Sequence, residues 1–156
     1  MIELFNYNWQ VRNDWFTWCG TLSVEELTKK RVGGIGSILH TLYHVVNCEQ
    51  LWINQMLGKP VLTRDMNTIV TLEEVIRFSE ETKLNTLEFL QSWSEDEEVK
   101  NLVITSKNGQ TYTFPYGKVV RHIITHEIHH IGQLSIWSRE LGKKPVSSDL
   151  IFRDYK

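Results

Sequence analysis

Apolar residues recur along this chain at intervals of three and four, and one stretch near residue 110 alternates instead. A first, aromatic-rich helix is predicted over 3–19, carrying Phe5, Tyr7, Trp9, Trp15, Phe16 and Trp18 and ending before Gly20. Ser23-Val-Glu-Glu26 places an acid three residues after a hydroxyl, which predicts a short helical piece. RVGGIG (31–36) reads as a loop or helix entry, since a helix interior disfavours three glycines. From Ser37, the spacing of Ile38, Leu42, Val45, Val46, Trp52, Ile53 and Met56 predicts a second long helix, stopped by Gly58-Lys59-Pro60. Thr71-Leu-Glu-Glu74 has the form of a capping box and opens a third, with Leu72, Val75, Ile76, Leu87, Leu90 and Trp93 inward. The acidic run SEDEEVK (94–100) reads as a solvated turn.

The period then switches to two. NLVITSKNGQTYTFP (101–115) has two short β-branched and aromatic runs around Asn108-Gly109, the pattern of a hairpin. A last helix follows Pro115 and Gly117. It carries Val120, Ile123, Ile124, Ile128, Ile131, Leu134 and Leu141 and stops at Gly142, with Pro145 just beyond. Four long helices with mostly short connections bury their apolar faces best as a bundle. The expected architecture is all-α, a four-helix bundle with a β-hairpin before the last helix, in a single domain over 1–156. No repeat or low-complexity tract divides it.

Composition changes this picture little. Apolar residues make up 41% and charged residues 23% of 156, ordinary for a globular chain with a sizeable core. The formal net charge of −2 advertises no basic face of the kind nucleic acid or an anionic membrane needs, so neither is an expected partner. Cys19 and Cys48 lack zinc-knuckle or CxxC spacing and are read as free thiols. The first residues, MIELFNYNWQVRND, show no basic-then-apolar targeting pattern, and no apolar run reaches membrane-span length. The cytoplasm is the expected location.

The histidines change it more. All six fall in two groups, His40 and His44 in the second long helix and His122, His126, His129 and His130 in the last. An i,i+4 step turns an α-helix by about 40° and rises about 6 Å, so such a pair can chelate one ion. His126 and His130 meet this spacing, as do His122 and His126. A single histidine is more often a hydrogen-bonded core or surface group, but two chelation-spaced imidazoles on an apolar helix point to a metal. One helix supplies only two ligands where such an ion wants at least three. The facing group would donate the third, and spacing does not separate His40 from His44. The run His126-Glu-Ile-His-His130 also matches the zinc-peptidase pattern H-E-x-x-H. A peptidase would need a further ligand downstream. Glu140 lies about 15 Å along the same helix, Asp149 and Asp154 sit in a short tail, and no sheet precedes the motif.

GSILHTLYHVVNCEQLW (36–52) and RHIITHEIHHIGQLSIWSRELG (121–142) together resemble the DinB/YfiT-like superfamily. Ser37, Ile38, Leu42, His44, Glu49 and Trp52 match its helix-two pattern. His126, His130, Gly132, Gln133, Leu134, Leu141 and Gly142 match that of helix four. The resemblance implies a metal-binding four-helix bundle, commonly dimeric, with one divalent ion on three histidines. Carried over position by position, the ligands are His44, His126 and His130, which leaves His40 aside. Many relatives have Arg directly after the last ligand; here it is Ile131, so any contact made by that Arg is not carried over.

Some family members resemble thiol-dependent transferases or isomerases. A three-histidine ion with an open position suits that chemistry, because a bound small thiol becomes a thiolate at neutral pH. The expectation is a metal-dependent enzyme, a low-molecular-weight-thiol S-transferase or a hydrolase, in stress response or detoxification. The alternatives are a non-catalytic, metal-stabilised dimeric module and, behind it, the zinc peptidase. Zn, Ni, Fe and Mn all accept imidazole, with Zn or Ni foremost. A homodimer and a small-molecule substrate or thiol are the expected partners. Around the ligands, Glu49 is a candidate to orient a ligand ring through its free N–H. His122 and Gln133 are further candidates for contact with a ligand histidine or a bound molecule.

Overall fold

A computed structural model describes residues 1–154. Four long helices, α1 (Ile2–Cys19), α3 (Ile38–Leu57), α4 (Leu72–Gln91) and α6 (Tyr116–Glu140), form the bundle. Two short helices, α2 (Val24–Thr28) and α5 (Glu95–Val99), lie in the connections, and the hairpin of β1 (Asn101–Thr105) and β2 (Thr111–Pro115) precedes α6. The start signals read from sequence operate as local chemistry. Ser37 accepts from the His40 N–H at the head of α3, and Thr71 and Glu74 close a reciprocal capping box at the head of α4.

Two local readings are corrected, and the hairpin expected around Asn108-Gly109 is present. The acidic run is not a turn: Ser94 caps Glu97 N–H, and four acids in the first turn of α5 suit the positive end of a short helix. Ile128 lies on the outer face of α6 and is 46% exposed, outside the buried stripe. Asn108-Gly109 does not form the two-residue turn that this pair favours. Pairing ends at Thr105↔Thr111, Ser106 O accepts from Gly109 N–H, and only Gly109 takes positive φ (+82°). A type I turn closed by a left-handed glycine results.

The core divides into two apolar clusters stacked along the bundle. One gathers Val11, Trp15, Leu42, Val46, Phe78 and Leu134 with their neighbours. The other gathers Phe5, Trp9, Ile53, Phe89, Val120 and Ile123. The start of α1 and of α6 thus meets the end of α3 and of α4, so α1 and α6 run one way and α3 and α4 the other. Parallel neighbours need a long return, and residues 58–71 supply it along the flank of α3. Asn54 donates to Pro60 O, Gln50 to Leu62 O and Tyr43 to Arg64 O, while His40 Nε2 lies 3.3 Å from Ile69 O.

Between the clusters lies a buried polar layer to which each long helix contributes. Arg12 of α1 bonds both oxygens of Glu127 on α6 (2.8 and 2.7 Å), Glu49 on α3 (2.6 Å) and Ser79 on α4 (3.2 Å). Glu49 also accepts from Thr86 and from the Trp9 indole. Burial alone would lower the Arg12 pKa; the two carboxylates outweigh it and raise it, so the guanidinium stays charged.

Candidate metal centre

On one side of this layer, α3 and α6 face each other with two stripes at i,i+4 spacing. On α3 the stripe is His44, Cys48 and Trp52; on α6 it is Lys118, His122, His126 and His130. His44 and His130 meet His126 between them. The Nε2 atoms of His44 and His126 are 3.0 Å apart, and those of His126 and His130 3.2 Å. One ligand atom from each of the three lies within 4.8 Å of the others. Two imidazoles held 2.0–2.1 Å from a tetrahedral ion would have nitrogens about 3.3 Å apart, so the spacing fits a three-nitrogen grip. Among the described residues no fourth His, Cys, Asp or Glu joins this group. Such a donor set is suited to an imidazole-accepting divalent ion with a coordination position left open.

The electrostatics agree with the geometry. Burial, then the nearby imidazoles His130, His44, His122 and His129, pushes the His126 pKa down to about 4. Burial and His130 lower that of His44, and burial lowers that of His130 against the opposing bond from Gln133. The three rings are therefore neutral at pH 7, the state in which imidazole binds a cation. His126 Nδ1 is buried without a hydrogen-bond partner, so the polar contacts of this ring are made through Nε2.

Gln133 does the orienting that was expected of Glu49. Its Oε1 accepts from His130 Nδ1 at 2.8 Å, which makes Nδ1 the protonated nitrogen and leaves Nε2 free to ligate. Its Nε2 lies 3.1 Å from His129 Nε2 and donates to it. The glycine loop makes room for this amide. Gly34 has φ +54°, and a Cβ built there would overlap the Gln133 side chain. Glu49 bonds Trp9, Arg12 and Thr86 and no histidine, because the arginine of α1 claims it for the core.

His122 is exposed and hydrogen-bonds no ligand ring; its own ring packs edge-on to Trp52 and 5.6 Å from that of His126. His40 faces the return loop, which separates it structurally from His44. Ile131 is buried in the apolar core. Glu127 is 2% exposed with both oxygens on Arg12, so it is no general base and the H-E-x-x-H match is a coincidence of chelation spacing. The buried Arg12 cluster was missed in the sequence, although an arginine inside an aromatic helix face was its signal.

The profile of the DinB family matches residues 1–155. An uncharacterized Bacillus subtilis protein, YizA, is 41% identical over 156 residues, covering 100% of this chain and 97% of that one. The crystal structure of a DinB-like protein from Bacillus cereus superposes with a TM-score of 0.66 at 15% identity, over 89% of this chain and 91% of that chain, a likeness of fold.

Proposed function

The chain belongs to the DinB family, and from that premise we propose that it is a metal-dependent enzyme of the small-thiol S-transferase type, with His44, His126 and His130 as ligands of Zn or Ni. The observation that carries this reading is the convergence of three Nε2 atoms at 3.0 and 3.2 Å with no fourth ligand among the described residues. When bound, the ion supplies a Lewis-acid position that lowers the pKa of a thiol or water.

The chain's own residues provide the rest. Gln133 holds the His130 tautomer, and burial keeps the three rings neutral. Neither cysteine offers a competing thiolate, since burial pushes both Cys19 and Cys48 up to about 12. A thiol nucleophile therefore comes from outside. The homodimer is carried in the same proposal. The outer face of α6, with Ile128 46% and Ile136 60% exposed one turn to either side of Gly132, supports it.

The test is cobalt substitution. The wild-type protein should take up one ion per chain, and its visible spectrum should gain a thiolate charge-transfer band on addition of a small thiol. His44→Ala should take up none. Equal uptake by His44→Ala, or no uptake by the wild type, would refute the assignment.

A further inference from the structure

The two stripes do not end at the histidines. One turn from His126 toward the hairpin they open a cavity of about 270 Å³, lined by Trp52, Phe114, Lys118, Val119 and His122. Trp52 is edge-on to Phe114 at 6.3 Å and to His122 at 5.9 Å, and His122 in turn reaches the ligand His126 at 5.6 Å. Three of the walls are thus aromatic rings, and one of them, His122, stands beside the three-histidine group. An apolar cavity of roughly 150 Å³ is enough to hold a benzene ring. This one has room for a ring with a short substituent.

The cavity has one fixed charge. Lys118 Nζ lies 6.0 Å from the centre of the Phe114 ring, and Lys118 forms no ion pair with any described residue. Arg121, the next cation on α6, is instead engaged by Glu98. Lys118 belongs to the same i,i+4 stripe as His122, His126 and His130, so its backbone stands about 12 Å along the helix axis from that of His126. A molecule bridging the two would place one end at the histidines, an unsaturated body between Trp52 and Phe114, and a negative group at the ammonium.

We infer that this cavity is the acceptor-substrate site and that it takes a small aromatic or similarly planar anion, its carboxylate-type group held by Lys118. The assignment rests on the metal-centre reading for where the reactive end goes. Aromatic faces select the planar body through stacking and burial. The unpaired ammonium selects charge, since an anion gains an attraction that its neutral amide does not. A cationic analogue is disfavoured by Lys118.

The test uses 3-phenylpropanoate as probe, against its amide and against 3-phenylpropylamine, titrated by calorimetry into the full-length protein. The acid should bind about fivefold more tightly than the amide, the scale of one exposed charge pair, and the amine weakest. Lys118→Met should bring acid and amide to the same affinity, and Lys118→Glu should reverse the order of acid and amine. Lys118 is exposed, so both variants fold. Phe114→Ala should weaken acid and amide alike; should it fail to fold, as circular dichroism would show, the Lys118 pair decides the question. Equal binding of acid and amide by the wild type, or a preference unchanged in Lys118→Glu, overturns the assignment.

Metal content, measured on the same samples, keeps the two readings apart. Equal binding of acid and amide by a wild type that holds its ion defeats the cavity assignment alone. Acid preference in a wild type that binds no ion defeats the metal reading and leaves the cavity assignment standing.

Discussion

Replacing Arg12 by Met removes the one cation from a buried layer that holds two carboxylates. The methionine fills similar apolar volume, so the loss is mainly electrostatic. In the native protein Glu49 and Glu127 each place an oxygen on the same guanidinium nitrogen, at 2.6 and 2.7 Å. Those oxygens can be no more than about 5 Å apart, and two unit charges at that distance repel by roughly 3 kcal/mol at an effective dielectric of ~20. Glu49 retains Thr86 and Trp9 as donors, whereas the bonds recorded for Glu127 are to Arg12. Stranding a buried charge in this way costs about 3–5 kcal/mol, a large share of the ~5–15 kcal/mol typical of a folded domain. For a chain of this size the melting temperature should fall by roughly 6–20 °C.

Chemical denaturation of metal-free Arg12→Met at pH 7, followed by tryptophan fluorescence, measures this loss. The decisive control is Arg12→Met/Glu49→Gln/Glu127→Gln, which keeps shape and removes charge. It should recover more than half of the lost stability. A single variant within 1 kcal/mol of wild type would refute the reasoning, as would a triple variant no more stable than Arg12→Met; the layer would then be held by packing rather than charge.

Three further outcomes follow from the metal centre and the surface. Gln133→Ala should weaken metal binding by about 10- to 100-fold, because His130 loses the acceptor that sets its tautomer; competition with a chelator measures it, and an unchanged affinity refutes that role. In the metal-free protein the His126 pKa is depressed to about 4 from 6.5. Stability from this group is therefore complete above pH 6.5 and is lost as pH falls toward 4, because the unfolded chain binds the proton more tightly. At face value the depression corresponds to roughly 3 kcal/mol; solvent screening at this half-exposed ring reduces it to about 1–2 kcal/mol. Denaturation between pH 7.5 and 4.5 should show the loss in wild type and a smaller one in His126→Phe. Finally, if the proposed dimer forms through the outer face of α6, wild type should scatter light as a dimer and Ile128→Glu/Ile136→Glu as a monomer, with the melting temperature of the subunit lowered by no more than a few degrees; a monomeric wild type refutes it.

Most of the elements and the chelation spacing of two histidines are legible in the chain itself, for reasons local to it. Apolar spacing of three and four in 37–57 and 116–140, hydroxyl caps at Ser37 and Thr71, and the glycine after Leu57 act within a few residues, so they are readable in one dimension. The chelation spacing of His126 and His130 is likewise a property of one helix turn. The partner histidine was a different matter. Spacing left His40 and His44 equivalent, and only resemblance to a family pointed to His44.

What the tertiary structure decided are the contacts between residues far apart in the chain. Arg12 reaches Glu49 and Glu127 because parallel and antiparallel helices bring their middles to one level, and that claim on Glu49 removes it from the metal centre. Glu127 is adjacent to a ligand histidine in sequence yet faces the core, since one residue turns an α-helix by about 100°. The aromatic cavity likewise exists only where the hairpin lays Phe114 against Trp52, sixty-two positions away. Helical periodicity reports which face is apolar; it carries no information on which polar group that face will meet, and here that meeting separates the glutamates bound to Arg12 from the three clustered histidines.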